Sequence, residues 1–170
     1  MNFLRQFFTI VIVAAFVFVG KINAQSMKTY FNDRYGYVVS YPVFMTAGEE
    51  PMAKDGVTIK MKGANAEKAC IIVFGGFNDM NIFSKSLSDS YKETINRYVS
   101  SGVELKSSKL RKDGFDISGI ENGYHFYRRV IWKDDYYAEV TVKYLREMKP
   151  MCGPYVKKVL SSLHFPVVDE

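Results

Sequence analysis

The sequence predicts an α+β fold built on an antiparallel sheet. Three observations predict it. Four β-rich segments between residues 103 and 145 are separated by short turn signals, so neighbouring strands must run antiparallel. One helical period interrupts the strands in mid-chain. A second helical period closes the chain.

The composition agrees with one folded domain. The chain has 170 residues, 48% of hydrophobic type and 24% charged, which excludes a disordered tail, a collagen-like fibre and a polytopic membrane protein. Aromatics reach 15%, with 12 Tyr and 13 Phe, enough for a substantial core. No repeat, low-complexity tract or interdomain linker divides residues 25–170.

Residues 1–24 read as a secretory signal peptide. Arg5 lies near the start, and the run from Phe7 to Gly20 carries no charge. A short polar stretch from Lys21 ends at Ala24, so cleavage is expected between Ala24 and Gln25. A membrane anchor is the competing reading. The apolar run would span only about 21 Å as a helix, against a hydrocarbon core of about 30 Å. After removal of the leader no stable membrane insertion is expected, and the predicted location is periplasmic or secreted. Losing Arg5 and Lys21 from 23 basic side chains leaves 21 against 18 acids, a net charge of +3. That is ordinary for a globular domain and gives no argument for nucleic acid. The densest basic cluster (Lys106, Lys109, Arg111 and Lys112) reads as a solvated strand and turn.

The mature chain opens with a strand over Tyr35 to Tyr41, rich in β-formers and ended by Pro42. Thr46 to Asp55 is a loop, and Asp55-Gly56 a turn. Val57, Ile59 and Met61 alternate with Thr58, Lys60 and Lys62, the pattern of a half-buried strand. Ala69 to Phe74 is a continuous apolar run, expected to be a central strand covered on both faces. Leu87, Tyr91, Ile95, Tyr98 and Val99 share one helical face, with Ser84 or Ser86 as the start and Gly102 as the stop. Strands follow over Val103 to Lys109, Phe115 to Ile120, Tyr124 to Trp132 and Tyr137 to Leu145. Asn122-Gly123 is the strongest hairpin signal among them. The closing helix buries Val156, Val159, Leu160 and Leu163, with Pro154 expected in its first turn and Pro166 after its end.

The stretch Tyr35-Gly36-Tyr37-Val38-Val39-Ser40-Tyr41-Pro42 resembles the YGF-x-hydrophobic-x-YP opening of PsbP-like and DcrB-like domains. Asp55-Gly56-Val57 is similar to their Asp-Gly turn. Ile117-Ser118-Gly119 followed by Tyr124 to Trp132 is similar to their SG strand and returning hairpin. The resemblance covers about residues 30–166 and implies a three-layer α/β/α sandwich with a central antiparallel sheet. Members of that fold group include photosystem extrinsic subunits, a nuclear-transport accessory factor, secretion-effector chaperones and a lipase-like branch, most of which bind proteins. No motif in this chain selects one of those roles.

The residues offer little chemistry. No G-x-S-x-G elbow is present. Only His125 and His164 could serve as an imidazole base for a serine, and each also has an ordinary structural reading. Glu49-Glu50 and Asp134-Asp135 read as polar turn residues. Gly75-Gly76 lacks the phosphate-loop pattern. No metal site, cofactor site or catalytic set is predicted. Cys70 and Cys152 are either a disulfide pair, favoured by export, or two separate small residues. Arg128, Arg129, Tyr136 and Tyr137 form the candidate binding surface, with core packing as the alternative for the tyrosines.

The expected function is therefore an exported, non-enzymatic protein-binding or accessory domain of the cell envelope. Chaperone-like work and toxin neutralisation as an immunity protein fall within that class, with an envelope or secreted protein as the partner. The alternatives are a serine esterase or lipase-like hydrolase using His125 or His164, and a binder of a small apolar ligand.

Overall fold

The computed structural model describes residues 26–78 and 86–167. The leader and the Ala24–Gln25 bond lie outside the described residues.

A two-stranded antiparallel hairpin, β1 (Met27–Asn32) and β2 (Tyr37–Pro42), precedes the main sheet. The main sheet comprises β3 (Met45–Ala47), β4 (Gly56–Met61), β5 (Ala69–Phe77), β6 (Glu104–Leu110), β7 (Gly114–Glu121), β8 (Tyr124–Lys133) and β9 (Tyr136–Leu145). Its order is β3-β4-β5-β9-β8-β7-β6, and every pairing is antiparallel. Helix α1 (Leu87–Ser100) lies between β5 and β6, and helix α2 (Lys149–Ser162) follows β9. This is the expected α+β class.

Alternation along the strands sorts the core into two clusters. Ala69, Ile71 and Val73 of β5 join Ala138, Val140, Val142 and Tyr144 of β9. They pack with β2, β4 and the α2 residues Cys152 and Val159. Phe115, Ile117, Phe126 and Val130 instead meet Leu87, Tyr91, Ile95 and Tyr98 of α1. Val130 and Ile131 are neighbours on β8 yet belong to different clusters, so the two clusters occupy opposite faces of the sheet.

Local chemistry fixes the joints. Asn122 and Gly123 have φ of 50° and 81°, the left-handed pair that a two-residue hairpin turn requires. That turn sets the register of β7 and β8 and places Asp116 opposite Arg129. Ser86 starts α1: its Oγ accepts the Asp89 N–H at 3.1 Å, and Asp89 Oδ2 accepts the Ser86 N–H at 3.1 Å. A side chain at Gly56 or Gly114 would put its Cβ 1.9 Å from the Val73 or Val130 carbonyl oxygen.

The structure departs from expectation in several places. β1 and β3 are additional strands, and β1 has too many exposed positions to show a period. The β5 run is fully covered on one face and only partly on the other, where Cys70 and Phe74 are half-buried but Ile72 is 37% exposed. Val99 is 61% exposed, because the apolar stripe of α1 stops at Tyr98. α2 begins at Lys149, so Pro154 sits inside the helix and not in its first turn. Pro150 takes the early position, where a missing N–H costs nothing.

Candidate functional site

Arg129 anchors a concave surface between the sheet and α2. It projects from β8 on the α2 side of the sheet, beside Tyr127 and Ile131 in the strand's alternation. Its Nε donates to Asp116 Oδ1 at 2.8 Å, and its Nη1 donates to the Leu160 carbonyl of α2 at 3.1 Å. The side chain is 16% exposed, so the guanidinium is tied at once to the sheet and to the helix. Arg111 approaches Asp116 from the other side, its Nε donating to Oδ2 at 2.7 Å. Burial alone would push the Asp116 carboxyl up. Hydrogen bonds and charge from Arg129 and Arg111 outweigh it and hold the group below the usual carboxylate range.

These residues form one wall of a cleft of about 570 Å³ between the sheet and α2. The helix contributes Lys149, Gly153, Pro154, Val156, Lys157 and Leu160. Tyr127 and Tyr144 also line it, and the Tyr144 hydroxyl donates to Tyr127 Oη at 3.3 Å. Burial, with that hydrogen bond, raises the Tyr144 phenol well above its ordinary value, so the Tyr144 hydroxyl stays protonated at neutral pH. Four cations therefore face the cleft against one carboxylate. The arrangement supplies hydrogen-bond donors and positive charge to an anion.

A second concavity of about 490 Å³ lies over β4 and β5, where Thr58, Lys60, Ile72 and Phe74 face the loop at Glu49 and Pro51. A gap of about 10 Å³ beside Phe44, Cys152 and Tyr155 is no larger than the room for one water.

The four residues of the expected binding surface do not form one surface. Arg129 lines the cleft. Arg128 points to the opposite face, where Nη1 donates to Tyr98 Oη at 3.1 Å and Nη2 pairs with Glu139. Tyr137 packs with Trp132 in the α1 cluster. Tyr136 meets Tyr35 and Phe77 in a partly exposed ring cluster, with centroids 5.8 and 5.7 Å away. Side-chain alternation splits both adjacent pairs.

The two histidines have different neighbours. His125 stacks on Tyr144 at 5.7 Å between ring centroids. His164 Nδ1 donates to the Ser162 carbonyl at 2.8 Å. Ser162, two residues away, uses its own hydroxyl on the Val159 carbonyl at 2.8 Å and on the Ser40 N–H at 2.8 Å.

Of the two readings of the cysteines, the disulfide is the one the structure overturns: Cys70 and Cys152 are both free thiols. Cys70 alternates with the core residues Ala69 and Ile71, so it faces away from the side on which α2 carries Cys152. Burial pushes the Cys152 thiol up to about 11, and burial also raises Cys70. No group of three or more His, Cys, Asp or Glu able to hold a metal ion occurs among the described residues. None of their helices is long and apolar enough to cross a membrane.

The basic cluster is only partly solvated as expected. Lys106 pairs with Glu104 on the exposed edge strand, whereas Arg111 reaches Asp116 at the cleft. Sequence reasoning missed Asp116, although a signal existed. Counting outward from the Asn122-Gly123 turn sets an acid opposite Arg129.

No protein-family model matches the chain, and no curated protein matches it. Solved structures do. The solution structure of cyanobacterial PsbP (CyanoP) from Synechocystis sp. PCC 6803 superposes with a TM-score of 0.62 at 16% identity, covering 86% of this chain and 96% of that one. The crystal structure of the Saccharomyces cerevisiae Ran-binding protein Mog1p superposes with a TM-score of 0.55 at 9% identity, covering 84% and 96%. The fold is thus PsbP-like, as the sequence resemblance implies. At these identities the likeness is one of fold.

Proposed function

We propose that the chain is a non-enzymatic accessory domain of the cell envelope, exported and trimmed after Ala24, that binds a protein partner through the cleft between α2 and the sheet. Helices α1 and α2 are read as the outer layers of a three-layer α/β/α sandwich around the main sheet.

The observation that carries this reading is the cleft itself. Asp116 and the Leu160 carbonyl hold Arg129 in place without a ligand, so binding costs little ordering of that side chain. The fold supports it more weakly, since one superposable protein is described as Ran-binding. Accessory work of a chaperone-like or immunity kind falls within the same class. The fold leaves the choice among these to the partner.

The test compares capture by the exported wild-type protein and by Gly153→Leu, whose side chain grows from the cleft wall. A partner that co-purifies with wild type and is lost with the variant supports the reading. Partners indifferent to the variant overturn it. Ester hydrolysis abolished by His125→Ala or His164→Ala would establish the hydrolase instead.

A further inference from the structure

We propose that the cleft accepts a carboxylate-rich, extended segment of its protein partner. This rests on the partner-binding reading above and adds the chemistry of what is bound. Each of the three Arg129 nitrogens already donates once, to Asp116 or to Leu160, so Arg129 shapes the cleft more than it greets a ligand. Arg111 uses Nε and Nη2 on Asp116, which leaves Nη1, and its side chain is 37% exposed. Lys149 and Lys157 line the same cleft and enter no ion pair among the described residues. The cations outnumber Asp116, so charge complementarity calls for an acidic occupant.

Spacing and surroundings favour a peptide. Lys149 and Lys157 belong to one helix, and a separation of eight residues is about 12 Å along its axis. Side chains four residues apart on an extended peptide are about 13 Å apart. Between the two lysines, Gly153 leaves the backbone bare. Even a Cβ there would sit 3.8 Å from the Tyr144 hydroxyl. Tyr144 donates to Tyr127, so the hydroxyl hydrogen of Tyr127 remains for a ligand. Pro154, Val156 and Leu160 place apolar surface among the charges, suited to the carbon chain of a peptide more than to a bare phosphate.

The test uses fluorescence anisotropy with the exported protein and a labelled, alanine-based peptide bearing two glutamates four residues apart. The control peptide has glutamine at both positions. The glutamate peptide is expected to bind, to weaken in high salt, and to bind about tenfold more weakly to Lys149→Gln/Lys157→Gln. Both lysines are exposed, so that variant keeps the fold, which circular dichroism checks. Equal affinity for the two peptides, or glutamate binding untouched by the lysine substitutions, overturns the proposal. So does tighter, lysine-dependent binding to phosphatidylglycerol vesicles, which would assign the cleft to lipid. If a captured partner is lost with Gly153→Leu while the acidic peptide fails to bind, this inference falls and partner binding stands. If capture ignores Gly153→Leu, the partner-binding reading itself falls.

Discussion

Asp116→Asn removes the charge that holds two arginines while keeping the shape of the side chain. The Asp116 side chain is 23% exposed and that of Arg129 is 16%, so the pair is mostly withdrawn from water. Removing one partner of a buried pair costs about 3–5 kcal/mol. Residual solvent access, and the carbonyl oxygen that Asn keeps, reduce this to about 2–3 kcal/mol. For a chain of this size that lowers Tm at neutral pH by about 4–10 °C. The pH dependence has a definite sign. The folded carboxyl titrates below its unfolded value, so its stabilisation is full above the unfolded value and disappears as pH falls through the folded one. Wild type and variant should therefore differ most near neutral pH and converge below the ordinary carboxylate range. Thermal melts by circular dichroism from neutral to strongly acidic pH measure this. A gap under about 1 °C at neutral pH, or one that persists undiminished into strong acid, would refute the role given to Asp116.

Packing elsewhere in the sheet sets three more expected outcomes. Gly114→Ala forces a Cβ against the Val130 carbonyl oxygen, a backbone atom that cannot swing away, and urea unfolding should show a loss of about 1–3 kcal/mol. Glu139→Gln strands the Arg128 guanidinium, whose side chain is 19% exposed and whose Nε has no hydrogen-bond partner; a loss of about 3 kcal/mol is expected, recovered in Arg128→Met/Glu139→Leu. Intact mass after alkylation under denaturing conditions should report two thiols, Tm should be indifferent to reductant, and native alkylation at mildly alkaline pH should be slow at Cys152, with its thiol near 11.

The strands were legible where one face is buried and the other wet. Ala138, Val140, Val142 and Tyr144 are buried as β9 predicts, and so are Val57, Ile59 and Met61 of β4. The continuous run Ala69 to Phe74 misled because apolar content does not report what lies above it; the hairpin and α2 cover one face, and Ile72 is left 37% exposed on the other. β1 escaped notice because Lys28, Thr29 and Phe31 are exposed and its period is broken. The cleft divides in the same way. Opposition of Asp116 and Arg129 is local information, carried by the Asn122-Gly123 turn. The approach of Lys149 and Lys157 to that pair depends on how α2 docks through Cys152, Val159 and Leu163, which no spacing in the chain records.

Gly153 and Pro154 are the two poorest helix formers, at about 1 and 3 kcal/mol against alanine, and they stand together in α2. With no N–H on Pro154, the Pro150 carbonyl lacks its ladder partner, so the helix, though continuous from Lys149 to Ser162, has its weakest point here. The rear segment is stitched down by Ser162 to Ser40 and by His164 to Val38. Amide exchange should therefore separate the two halves, with the front half opening at lower free energy. Lys149 rides on that front half and Lys157 on the rear. An occupant that spans both lysines would tie the two halves together, so amide exchange in the front half should slow when the recess is filled.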